Sequence, residues 1–312
     1  MRHLLALAAF ALMASPALAQ NTASTSQNGT NNNAAVTQSG QFNDTRVIQG
    51  DGTASASNAI ATVQQTGDGT NLQRQNEVLI EQFGDGAEAV VSQAGSDRNE
   101  VEIVQVGDNF AQVTQDGRVQ GAEVRQDGDG NSAIIDQAGN SNQIGDALDQ
   151  TAAGVEQYGD GNTATVDQNV TSFSSANVLQ DGNDNIAAVR QELDGGAGAN
   201  RSAARVEQVG NLNEVTINQL SAVNNSRLDA TVIQNGLSNM TTVNQGGQDQ
   251  VADVDLLGND NVVDVLQSGM GNSAFVQVLG DDNAATVSQS SMGNTANVTQ
   301  TGSGNTSTVT QN

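Results

Sequence analysis

From Asn294 to Gln300 the chain alternates. Asn294, Ala296, Val298 and Gln300 take every second position, with Thr295, Asn297 and Thr299 between them. A period of two puts the first set on one face of a β-strand and the second on the other. The alternation returns after each short Gly-containing stretch, such as Thr301-Gly-Ser-Gly304. Gly and Asp there supply the positive φ that tight turns need. A helix fits poorly: its period is about 3.6 residues, and Val and Thr favour pleated surfaces.

The alternation sits inside a longer period. Between Gln234 and Gln311 the pattern Q-x-G-x-x-N-x-A-x-V-x-Q recurs every eleven residues, seven times in succession, the closing Gln also opening the next unit except where Leu256 and Val278 take its place. Gln300–Gln311 is the cleanest copy. Gln27, Gly29, Asn32, Ala34, Val36 and Gln38 already fit every fixed position, and Gln38–Gln49 follows directly. Gln82–Gln93, Gln115–Gln126, Gln126–Gln137, Gln157–Gln168, Gln180–Gln191 and Gln208–Gln219 keep the beat, with Ile135 and Ile217 replacing Val. Gln49–Gln65, Gln191–Gln208 and Gln219–Gln234 are longer and read as enlarged turns, where solenoid insertions fall. Gln65–Gln82 and Gln137–Gln157 have no evident register.

A fixed short period decides the architecture. The predicted fold is all-β: a β-solenoid of about a dozen 22-residue strand–turn–strand–turn coils, two eleven-residue arms each, with amyloid-like cross-β stacking. At ~4.8 Å per rung the stack would be about 55–60 Å tall. Residues 1–19 read as a secretory signal peptide: Arg2 and His3, an apolar run from Leu4 to Met13, then Ala17-Leu-Ala19. The run is about half of the ~20 residues a membrane span needs. Residues 20–26 are expected as a free tail, and 27–312 as the solenoid.

Half of the inward face is amide. An unpaired buried amide costs about 1–3 kcal/mol. Stacking solves this if each side chain donates to the same residue one coil away, as Asn and Gln ladders do in cross-β structure. The predicted ladder comprises Gln27, Asn32, Gln38, Asn43, Gln49, Gln126, Asn131, Gln137, Gln157, Asn162, Gln168, Gln180, Asn185, Gln191, Gln208, Asn213, Gln219, Gln234, Asn239, Gln245, Asn261, Gln267, Asn272, Asn283, Gln289, Asn294, Gln300, Asn305 and Gln311. It also fixes register, because a one-residue slip would turn the amides outward.

These repeats resemble curlin, the subunit of curli, a bacterial extracellular functional amyloid. The family repeat reads S-x5-Q-x-G-x-x-N-x-A-x3-Q, and Gln157-Tyr-Gly159-Asp-Gly-Asn162-Thr-Ala164-Thr-Val-Asp-Gln168 matches its core. Gln82-Phe-Gly84 and Gln126–Gln137 follow it too. The resemblance spans nearly all of residues 27–312. It implies export through an outer-membrane secretion pore, folding on a surface nucleator, and assembly with copies of itself into cell-surface fibres for biofilm matrix, adhesion and cell aggregation. The regular last repeat is similar to the major fibre subunit more than to the nucleator. This chain is longer than the familiar subunits and lacks a long Gly/Asn-rich segment before its first repeat. Gln20–Ser26, alone or together with Gln27-Asn-Gly-Thr30, would have to serve as the export signal.

Composition narrows the alternatives. Past the signal segment there is no His, Pro, Cys, Trp or Lys, and nine Arg face 35 Asp and Glu, a net charge of −26. The chain therefore uses no disulfide staples. Nucleic acid and anionic membranes are disfavoured partners, since phosphate contacts need Lys and Arg. Without His or Cys the common general base and the thiol nucleophile are missing. No phosphate loop or zinc spacing is present. The reading is therefore no enzyme, no cofactor and no small-molecule substrate. The scattered aromatics Phe42, Phe83, Phe110, Tyr158 and Phe275 form no stacking platform.

The acidic turns Gly67-Asp-Gly69, Gly84-Asp-Gly86, Asp127-Gly-Asp-Gly130, Gly159-Asp-Gly161, Asp181-Gly-Asn-Asp184 and Gly280-Asp-Asp282 raise a calcium-binding β-roll as an alternative. Their period is eleven, not nine, and the nonapeptide pattern is absent, so ordinary turn chemistry is the simpler reading. Stacked carboxylates would also slow premature assembly. Thr165, Thr286, Thr299 and Thr310 hint at an ice-binding row, but Arg46, Asp167, Arg190 and Asp264 interrupt the outward positions. A soluble β-solenoid adhesin would need capped ends. Here the first and last units are among the most regular, with no charged helix or Pro to cap them. Open strand edges at both ends predict head-to-tail filaments.

Overall fold

The computed structural model describes residues 21–50, 55–68, 75–95, 98–140, 151–170, 174–193, 201–221 and 226–312. The expected signal peptide lies outside them. Alternation becomes strand wherever it occurs. Strand Glu214–Ser221 buries Val215, Ile217 and Gln219 and turns Glu214, Thr216 and Asn218 outward.

Every named strand pair is parallel and in register. The strands alternate between two facing sheets. One runs from Thr22–Gln27 to Thr295–Thr301 and the other from Asn33–Gln41 to Thr306–Gln311. Each holds twelve stacked strands; Gly29–Thr30 and Ala56–Ser57 lie off the first sheet's path. We number the coils 1 to 12 in chain order, a first-sheet strand followed by a second-sheet strand. Eleven steps of ~4.8 Å give a stack about 53 Å tall. The β-solenoid expected from the period is the fold observed.

Between the sheets lies one thin core of stacked Ala and Val, with Ile80, Ile103, Ile135 and Ile217 where there is more room. Where the linking residues are described, successive strands are only a turn apart, and among the described residues no layer of helix or loop covers either outer face. The turns close on glycines with positive φ. At Gly210 (φ 110) a Cβ would lie 2.0 Å from the Gly236 carbonyl oxygen of the next coil, so no larger residue fits.

Two expectations change. Gln20–Ser26 is not wholly a free tail, because Thr22–Gln27 forms the first strand and pairs with Asn43–Gln49. Its alternating Thr, Ala and Ser can occupy a sheet edge as readily as solvent. The unregistered segments also resolve in part. Gln65 stacks between Gln38 and Gln93, and Gln82 between Gln49 and Gln105. Gln137 stacks between Gln115 and Gln168, and Gln157 between Gln126 and Gln180. Residues 69–74 and 141–150, inside the long spacings, lie outside the described residues.

Candidate functional site

The chemistry of this protein lies in its amide columns. On the second sheet Gln38, Gln65, Gln93, Gln115, Gln137, Gln168, Gln191, Gln219, Gln245, Gln267, Gln289 and Gln311 form one unbroken stack. Each Nε2 donates to Oε1 of the next coil at 2.7–3.0 Å. In most coils the second Nε2 hydrogen crosses the core to a first-sheet backbone carbonyl, usually sixteen residues back. Gln219 donates to Ala203 O at 3.0 Å and Gln267 to Val251 O at 2.8 Å. One side chain thus ties the coil to its neighbour and the two sheets to each other. All interior members are fully buried, so these bonds lie in a low-dielectric setting where an unpaired partner is costly.

On the first sheet Gln27, Gln49, Gln82, Gln105, Gln126, Gln157, Gln180, Gln208 and Gln234 stack likewise at 2.7–3.2 Å. There the column stops. The next two places hold Leu256 and Val278, and Gln300 resumes it. The amide pattern that looked most regular in sequence is therefore broken twice within Gln234–Gln311. Gln234 redirects its donor to Thr241 Oγ1 at 2.9 Å. Gln300 Oε1 is buried without a partner.

The asparagines form a second kind of column, at the turn that enters the second sheet. Asn109, Asn131, Asn162, Asn185, Asn213, Asn239, Asn261, Asn283 and Asn305 succeed one another coil by coil. Each Oδ1 accepts the backbone N–H of the next Asn at 2.9–3.1 Å. From Asn109 to Asn283 each Nδ2 also reaches the turn glycine carbonyl one coil on at 2.7–2.9 Å. The expected amide-to-amide contact exists from Asn162 onward, but pointing toward the preceding coil, opposite to glutamine. The shorter side chain explains this, since it sits within reach of the turn backbone.

Asn32 binds Ala56 O in the same turn column. Asn43, Asn272 and Asn294 belong to the other turn, entering the first sheet. That column is irregular: Gln120, Ser174, Ser202, Leu228 and Gln250 hold the same place. Among the described residues the remaining unpartnered buried atoms, Gln120 Oε1, Ser202 Oγ and Gln250 Oε1, all lie there. Sequence reasoning left out Gln65, Gln82, Gln93, Gln105, Gln115, Asn76, Asn99 and Asn109. Spacing alone would have found Gln82, Gln93 and Gln115, which open or close registered units. Gln105 hides behind a turn one residue short, Val106-Gly-Asp-Asn109.

The turn acids have structural work. Asp129 Oδ1 accepts the Asp108 N–H at 3.0 Å, Asp160 Oδ1 the Asp129 N–H at 2.9 Å, and Asn183 Oδ1 the Asp160 N–H at 2.8 Å. Among the described residues no three His, Cys, Asp or Glu converge as metal ligands. Outward carboxylates also stack, as in Asp44–Glu77–Glu100. Burial, then Glu100, Asp44 and Glu102, holds the Glu77 carboxyl above its ordinary range. Burial, then Asp167 and Asp116, raises Asp136; burial, then Asp253, raises Asp229. The threonines considered as an ice-binding row do not share one. Thr165 and Thr286 stand at one outward position of the second sheet, Thr310 at another, and Thr299 is on the first sheet.

A family comparison fits this geometry. The curlin associated repeat matches residues 121–145 and 258–290. The chain therefore carries the curlin associated repeat at two places. The first match covers parts of coil 5, and the second the turn of coil 10 through coil 11 with both breaks in the first-sheet column nearby. Comparison with curated proteins gave no match. Curlin repeats are associated with extracellular curli fibres and are not known as an enzyme family. Repeat and fold together suggest a curli-type structural protein.

Proposed function

We propose that this curlin-repeat chain is a structural subunit of an extracellular amyloid fibre. It adds copies of itself end to end and serves matrix, adhesion and cell aggregation. In the same reading a surface nucleator and an outer-membrane pore are its export and assembly partners. The supporting observation is the contrast between the outermost coils and the middle. Among the described residues, Thr22–Gln27 and Asn33–Gln41 pair on one side only, as do Thr295–Thr301 and Thr306–Gln311. Residues 21–43 and 283–312 carry no charged side chain, whereas the coils between them hold the acids. Unpaired parallel edges template further strands, and neutral faces can approach without the repulsion that separates the acidic flanks.

The glutamine column gives the contact a direction. Donors point toward coil 12 and acceptors toward coil 1, so Gln311 Nε2 of one copy suits Gln38 Oε1 of the next. A heterologous contact of this kind does not close and yields filaments. The test is assembly of the purified mature chain at micromolar concentration, followed by thioflavin fluorescence and electron microscopy. Fibres are expected; a chain that stays monomeric for days without binding the dye would sink the proposal.

A further inference from the structure

Twelve of the fourteen exposed large apolar side chains among the described residues lie between Ile186 and Met292. Six of them share one edge, where the turns leave the first sheet and enter the second. Ile186, Met240 and Val262 begin second-sheet strands, and the last two are direct register partners. Beside them Leu212 stands on a turn, and Leu237 and Leu257 end first-sheet strands; the three are 58%, 46% and 51% exposed. On the same edge, coils 4 to 6 place Asp108, Asp129 and Asp160 instead.

Leu212 makes the ridge hard to dismiss as chance. Its φ is 59°, the left-handed conformation. The equivalent turn place holds Asp184, Ser238, Asp260 and Asp282 in neighbouring coils, all with φ near the same value or suited to it. A bulky side chain there costs backbone energy, yet Leu212 gains no burial in return.

The rim identifies the occupant. Glu214 stands between Ile186 and Met240 in register, and Asp184, Asp260 and Asp282 border the leucines. The turns along this ridge contain no arginine. A second copy would bring its own 35 acids against nine Arg, and an anionic lipid surface would likewise be repelled. We infer that this ridge docks a cationic segment of another polypeptide, in which apolar residues alternate with Lys or Arg. The leucines and methionine would contact its apolar side chains, and the rim carboxylates its charges.

The test uses the mature chain and a dye-labelled peptide probe of alternating Leu and Lys, read by fluorescence anisotropy. The variant Leu212→Asn/Leu237→Asn/Leu257→Thr takes residues that other coils carry at comparable places, so folding is retained. It should weaken binding about tenfold or more. Asp260→Asn/Asp282→Asn should weaken binding and flatten its salt dependence. Asp108→Asn/Asp129→Asn/Asp160→Asn, on the acidic part of the same edge, should leave affinity unchanged. Equal binding by the leucine variant overturns the proposal, as does an equal loss with the distal acid variant. Anionic vesicles that bind through the same leucines, or side-by-side clustering of copies that the leucine variant abolishes without affecting the probe, would also overturn it.

Discussion

The break in the first-sheet glutamine column allows its energetics to be measured. In the native chain Gln234 donates to Thr241 Oγ1 and Glu214 O, and Gln300 Oε1 faces Val278 with no donor. Leu256→Gln alone would receive the Gln234 donor but leave its own outgoing N–H against Val278, giving two unmet groups. Val278→Gln alone would satisfy Gln300 and face its own Oε1 to Leu256, leaving one. The double variant would run the column unbroken from Gln27 to Gln300 with none. Relative to one unmet group in the native chain, the two changes are coupled by two such groups. At about 1 kcal/mol each, the low end of the usual range, the coupling is at least about 2 kcal/mol. Steric costs of the larger side chain appear in the single variants and largely cancel in the cycle. The assay is guanidinium unfolding at a concentration too low for assembly. Hydrogen exchange in coils 9 to 12 should accompany it, because a repeat array need not unfold in one step. Leu256→Gln should destabilise, and the double variant should be at least as stable as the native chain. Additivity within about 0.5 kcal/mol would refute the account of the columns.

Gly210→Ala should cost more than about 3 kcal/mol and remove exchange protection from coils 8 and 9, since its Cβ would meet the Gly236 carbonyl. Gly302→Ala should cost a single chain only about 1–2 kcal/mol, because a Cβ there meets nothing closer than Asn305 Nδ2 at 3.7 Å. It should nevertheless slow fibre elongation from coil 12, where an incoming coil would supply the clashing carbonyl. Seeded growth rates at the two ends distinguish these effects. Glu77, Asp136 and Asp229 have raised folded pKa values, so the native state holds their protons more tightly than the unfolded chain does. Stability should therefore rise as pH falls from neutral through the raised values and level off below the unfolded ones. Denaturant midpoints measured across that range, flattened by Glu77→Gln/Asp136→Asn/Asp229→Asn, check the sign; a midpoint that falls steadily on mild acidification would contradict it.

The fold was legible because one side-chain pattern states both the strand and its stacking. Asn-Ala-Val-Gln on alternate positions gives the inward face, and the same amides one coil on satisfy it. Two things were not read from it. Leu256 and Val278 stand openly at glutamine places, but they keep the spacing and roughly the volume, so the period survives where the hydrogen bonds do not. The distinct role of asparagine was also missed, since its short side chain meets turn backbone only because of where the turn runs. The sheet to which each arm belongs could be counted along regular units. It was lost across Gln65–Gln82 and Gln137–Gln157, where the spacing does not divide into arms.

Fibre diffraction of aligned assemblies of residues 20–312, with cryo-electron microscopy of the same sample, tests the central claim most directly. Strands should lie perpendicular to the fibre axis with a ~4.8 Å repeat along it, and subunits should recur about every 58 Å, twelve rungs end to end. Fibres in which the ~4.8 Å spacing runs across the axis, or a sample that yields only discrete single solenoids, would contradict it.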